Sequence, residues 1–282
     1  MPMRRALSTH LFVNHRLTTE TLRKIDEAGL PAVEIFCAKQ HFDYTDAAQV
    51  KDLAAWFADH QLTLRSLHSP LYKDYEWGRS HGGAAVNLAQ PERMRRLESV
   101  EEVKRCLEVA ELIPFRYLVQ HLGVPHEEFA LEKFDAAYSS LESLNLFAKQ
   151  RGVQILLENI PNDLSTPQRL LEFRDYTRMN ALRICFDTGH AHLNAGVEAD
   201  FEPLRDLVVS THVHDNHGQQ DEHLFPFQGG IAWHSAMRAL TTASADIPLQ
   251  LELRDHGAFP QPLEQALETF RRLEELALTP QP

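Results

Sequence analysis

Six side chains that bind metal well, His68, His121, Glu158, Asp187, His212 and Glu252, stand at or beside the ends of apolar, β-branched-rich runs in this 282-residue chain. The runs are LTLRSLH (62–68), RYLVQH (116–121), VQILLE (153–158), LRICFD (182–187), LVVSTH (207–212) and PLQLELR (248–254). Each reads as a strand. An imidazole or carboxylate buried without a partner costs several kcal/mol. A lone strand-end His or Glu is most simply a hydrogen-bonded residue, but six in phase point to a shared cation.

Two further segments add donors. FDTGHAHLNAG (186–196) places Asp187 and His190 three residues apart, on one side if the chain turns into a helix; His192 then faces solvent or supports a ligand. HVHDNHGQQDEHLFPFQGG (212–230) holds His212, His214, Asp215, Asp221 and His223. The Asp221-x-His223 spacing lets two donors reach one ion across a turn, while His214 and Asp215 are read as supporting or substrate-contacting groups. Carboxylate oxygen with imidazole nitrogen suits zinc or manganese better than calcium, with cobalt or iron as alternatives. Of the other histidines, His10, His15, His41, His60, His81 and His234 are expected to be scattered surface residues.

Positioning these donors requires a repeating scaffold. ALSTH (6–10) and AVEIF (32–36) complete eight strands, separated by helical periodicity over 18–29, 45–61, 91–113, 127–151, 166–178, 233–244 and 261–276, with a short helix near 198–205. Eight alternations argue for one closed (β/α)8 barrel over residues 1–282 rather than an open doubly wound sheet. In such a barrel the carboxyl ends of the strands converge and carry the active site. The longest βα loop, 69–90, contains Tyr72, Tyr75 and Trp77, expected to form a lid or substrate wall, an oligomer contact being the alternative. Within it GGAAV (82–86) is no phosphate-cradling motif. The helix over 261–276 carries a stripe of Leu263, Leu267, Phe270 and Leu273 that we assign to packing on its own barrel, leaving a homo-oligomer open.

Composition sets the outer limits. Hydrophobic residues at 43% and charged residues at 24% are those of a globular protein, and no long apolar run marks a signal peptide or membrane span, so cytoplasmic residence is expected. Cys37, Cys106 and Cys185 are far apart and lack a CxxC pair, which predicts buried thiols rather than a disulfide framework or thiolate zinc site. A net charge of −12 disfavours general nucleic-acid binding, and the rim loops offer only scattered bases, Lys39, Lys73 and Arg79.

Glu158, Asp187, His212 and Glu252, in this order and strand position, resemble the single-metal set of ketose epimerases within the xylose isomerase-like TIM barrels. That family includes sugar isomerases and epimerases and the endonuclease IV type of abasic-site repair enzyme. The resemblance spans essentially the whole chain. It implies a divalent-metal-dependent isomerase or epimerase of a sugar or sugar phosphate, with one ion, Glu158 and Glu252 as acid and base through a metal-stabilised enediolate, and His190 on a substrate oxygen. His68, His121, His190, Asp221 and His223 are similar to the additional ligands of the endonuclease branch, which implies as the alternative a zinc phosphodiesterase with two or three ions. HVHDN…DEHL is also a phrase common to these barrels, which usually continue with Gly-Glu-Gly; Phe227-Gln228-Gly229 stands here instead, removing a carboxylate.

Overall fold

The computed structural model describes residues 3–76, 84–243 and 246–278. Eight parallel strands run in the order β7-β6-β5-β4-β3-β2-β1-β8: β1 Arg4–Ser8, β2 Ala32–Phe36, β3 Thr63–His68, β4 Tyr117–His121, β5 Gln154–Glu158, β6 Arg183–Asp187, β7 Val208–His212 and β8 Pro248–Leu251. The two outer strands meet. Val213 pairs with Leu251, Val213 N donates to Gln250 O at 2.8 Å, and Thr211 Oγ1 donates to Pro248 O at 2.8 Å, which closes the barrel.

The helices begin where the sequence supplies caps. Thr18 accepts from Thr21 N ahead of α1 (Thr19–Glu27), Asp46 accepts from Ala48 N and Gln49 N ahead of α2 (Ala47–Asp59), and Thr166 precedes Pro167 at the start of α5 (Pro167–Thr177). Between them lie α3 (Arg93–Glu108) and α4 (Leu131–Lys149). After β6 come α6 (Thr188–Leu193) and α7 (Val197–Leu204), then α8 (Trp233–Leu240) and α9 (Pro262–Leu278). In α9, Phe270 and Leu273 are fully buried and Leu263 and Leu267 pack against the same core, so the apolar stripe covers its own barrel. No described helix is long and apolar enough to cross a membrane.

Two expectations are corrected. His10 and His41 are not surface residues: both are buried. The chain leaves β1 at Ser8 and enters a 3-10 turn, Thr9–Phe12, which carries His10 inward. His41 is held through Nδ1 at 2.6 Å from the His15 carbonyl and through Nε2 at 2.9 Å from Thr9 Oγ1. Burial drives its pKa from 6.5 down to about 4. A depressed value means that this neutral imidazole contributes stability above pH 6.5, which is lost as pH falls toward 4. Over that window urea unfolding should show a loss of roughly 2–3 kcal/mol from this group; His41→Gln should flatten the slope, and an unchanged slope would remove His41 as its source. Cys37, Cys106 and Cys185 are buried free thiols, as expected.

Candidate metal centre at the strand ends

All nine sequence-predicted donors converge on the carboxyl mouth of the barrel. Glu158, fully buried at the end of β5, is the hub. Its Oε1 lies 2.9 Å from His212 Nδ1, and its Oε2 lies 3.1 Å from His121 Nε2 and 3.4 Å from His68 Nε2. His68 Nδ1 lies 2.8 Å from the Ser69 carbonyl. With Nδ1–H donated to that carbonyl, the ring is oriented so that Nε2 faces Glu158.

Asp187 has two jobs because it ends β6 and caps α6. Its Oδ1 accepts from His190 N at 2.7 Å, and Oδ2 meets His214 Nε2 at 3.0 Å. Asn159 clamps its backbone from β5 through bonds of 2.9 and 2.8 Å. Gly189 is obligatory here, since a Cβ at that position would fall 1.9 Å from the His214 ring. Glu252 lies one residue beyond β8, with Oε2 3.2 Å from His212 Nδ1 and the buried Oε1 lacking a hydrogen-bond partner. His223, in left-handed backbone at φ 50°, sits 3.0 Å from the Glu252 carbonyl through Nδ1 and 3.2 Å from Asp221 Oδ2 through Nε2. His190 Nε2 reaches the same Asp221 oxygen at 3.1 Å.

Among the described residues four groups have their ligand atoms within 4.8 Å of one another: Glu158, Asp187, His212 and Glu252; His68, His121 and Glu158; and His68, His212 and Glu252, which share members; and, separately, His190, His214, Asp221 and His223. Three carboxylates and an imidazole in one dry cluster, one oxygen unpartnered, fit a divalent cation. The electrostatics are uneven. Burial raises the Glu252 carboxyl above the usual range despite nearby His212, His223 and His68. Burial acts the same way on Glu158, but charge from His212 and hydrogen bonds from His121, His212 and His68 outweigh it and hold that carboxyl well below the ordinary value.

Sequence reading missed one participant and left the roles of others open. Glu34, in the middle of β2, is fully buried, takes a hydrogen bond from Ser66 Oγ at 2.7 Å, and lies 3.1 Å from His212 Nε2, the nitrogen opposite the one that faces Glu158 and Glu252. Its signal was an acid inside the apolar strand AVEIF, which demands a buried partner. His214 stands beside a candidate ligand, with Nε2 3.0 Å from Asp187 Oδ2, and is also grouped with His190, Asp221 and His223 as a possible donor. Asp215 instead pins the loop, accepting from Phe227 N, Ile231 N and Trp233 Nε1. Gln228 is exposed on that loop. His192 Nδ1 meets Asn216 Oδ1 at 2.9 Å, a support for the loop. Above the donors opens a cavity of about 300 Å³ whose wall includes His10, Phe36 and Arg254. Tyr72 lines a neighbouring cavity, Tyr75 is 56% exposed, and Trp77 lies outside the described residues.

The chain belongs to the xylose isomerase-like TIM barrel family, whose model matches residues 22–276. It is 29% identical to an uncharacterised protein of Methanocaldococcus jannaschii over 95% of this chain and 90% of the relative. It is 27% identical to a probable endonuclease 4 of Natronomonas pharaonis over 61% of this chain and 68% of that protein. The crystal structure of a D-tagatose 3-epimerase-like protein superposes with a TM-score of 0.76 at 25% identity, covering 98% of both chains.

Proposed function

We propose that this barrel is a divalent-metal-dependent isomerase or epimerase acting on a small sugar or sugar phosphate. One observation carries the reading: Glu158 at the end of β5 and Glu252 just beyond β8, with β6 and β7 between them, both approach His212 Nδ1, at 2.9 and 3.2 Å, and both line a cavity of about 300 Å³. That volume is at the small end of ligand pockets, roughly 300–1,000 Å³. The epimerase-like protein of similar fold agrees with it.

Glu158, Asp187, His212 and Glu252 would hold the cation, which when bound supplies a Lewis acid for a substrate carbonyl. Glu252 is suited to take or return a carbon-bound proton, since its buried Oε1 has no competing hydrogen bond. Glu158 works from the other side, with the proton returning to the opposite face in epimerisation or to the neighbouring carbon in isomerisation. His190 Nδ1, buried and without a hydrogen bond, is placed to hold a substrate oxygen.

A second reading, a zinc-dependent phosphodiesterase of the abasic-endonuclease type, is favoured by the extra donor groups, which interlock through Glu158 and through the Asp187–His214 contact. The rim opposes it. Lys39 is paired with Glu102 at 2.6 Å and Lys73 with Glu98 at 2.7 Å, which weakens their pull on phosphates.

Metal analysis of the purified protein, combined with a panel of ketoses and ketose phosphates in D2O followed by NMR, separates the readings. We expect one Mn, Co or Zn per chain and deuterium entering at the carbon beside the carbonyl. Two or three zinc ions with cleavage of an abasic-site duplex, and no deuterium uptake, would replace the first reading by the second.

A further inference from the structure

The cup of about 300 Å³ does not end at the donors. A second cavity, of about 650 Å³, adjoins it, and the two share Leu71, His121, Pro125 and His126 as common walls. His121 is itself a donor, 3.1 Å from Glu158, so the space next to a molecule seated over Glu158, across His121, is more than twice as large as the cup itself. Nothing in proton transfer at Glu158 and Glu252 uses that space.

The side cavity's chemistry restricts what it can hold. Among the described residues every lysine or arginine in its wall already faces a carboxylate: Lys73 is 2.7 Å from Glu98, Lys133 is 3.2 Å from Glu127, and Arg95 is 3.6 Å from Glu92. A phosphate entering there would meet compensated cations and the further acid Glu128. Leu71, Val86 and Pro125 supply apolar surface beside Tyr72 and Gln90, whose ring, hydroxyl and amide can meet both the C–H faces and the hydroxyls of a neutral ring. A wall that mixes apolar patches with fixed polar groups is the usual form of a specific small-ligand site.

The geometry points to a subsite for a second, uncharged sugar ring, which makes the substrate class a glycosylated ketose rather than a free monosaccharide. This rests on the isomerase or epimerase reading. Tyr72 thereby acquires a role as a wall of the outer ring's subsite rather than of the reacting sugar's.

The test compares fructose with its 3-O-, 4-O- and 6-O-glucosyl derivatives by isothermal titration and saturation-transfer NMR, using the Mn-loaded protein, in wild type, Ala85→Trp and Tyr72→Ala. Ala85 and Tyr72 line the side cavity and lie outside the donor cluster. We expect at least one glucosyl-fructose to bind about tenfold or more tighter than fructose. Ala85→Trp, which fills the cavity with an indole, should erase this advantage while fructose binding holds. Tyr72→Ala, a milder change, should reduce it in the same direction. Equal binding of fructose and all three glucosides, untouched by either substitution, overturns the subsite and leaves the sugar reading in place. Absence of binding by every ketose, free or glycosylated, overturns both.

Discussion

Glu252→Gln should lower turnover by roughly 10²–10⁴-fold, the usual contribution of a positioned acid or base, while a divalent ion still binds. The asymmetry follows from where the two glutamates stand. Glu252 meets His212 through Oε2 and keeps Oε1 without a partner, so an amide fills its volume and retains a carbonyl oxygen for the cation. What disappears is the capacity to take a carbon-bound proton. Glu158 is different because three imidazoles, those of His212, His121 and His68, stand within 3.4 Å of its two oxygens. Glu158→Gln should therefore reduce metal content as well as activity. Measuring bound metal and deuterium wash-in on the same preparations separates the effects, and wild-type turnover in Glu252→Gln would refute its acid or base role.

The barrel was legible because its two periodicities do not overlap: apolar runs closed by one polar residue gave the strands, and the 3.6-residue pattern between capping Thr or Asp and the next run gave the helices. The donors were legible for a related reason. A strand that ends on His68, His121, Glu158, Asp187 or His212 delivers its last side chain to the same rim, so position in the run encoded position in space. Glu34 broke that rule by standing mid-strand, where an acid resembles the solvent-facing member of an alternating pattern; only closure of the barrel reveals that this face points inward. His10 and His41 were misread because burial of a histidine depends on contacts distant in sequence, such as the Leu253 carbonyl 3.1 Å from His10 Nδ1. The short helix α6 arises from a tertiary arrangement too, since the Asp187 that caps it is itself fixed by Asn159.

Glu34→Gln should weaken divalent-metal binding about 10–100-fold, the range for losing the carboxylate behind a ligating histidine, without unfolding the protein. Glu34 reaches His212 at Nε2 while Nδ1 faces Glu158 and Glu252, so accepting Nε2–H fixes both the tautomer and the ring angle that present the other nitrogen to a cation. Ser66 Oγ in turn holds the second carboxylate oxygen of Glu34. Stability and affinity should part company here. In the metal-free protein a neutral amide relieves the desolvation of a fully buried carboxylate, and replacing a buried charge is often close to neutral when shape is kept. A structural brace would lower the apo melting temperature and leave the metal Kd alone; an orienting group would raise the Kd and leave the melting temperature nearly unchanged. Titration of Mn or Zn into apo Glu34→Gln, beside Ser66→Ala as the milder cut in the same chain of bonds, measures both quantities, and an unaltered Kd in the two variants would leave Glu34 with no role in shaping the cation pocket.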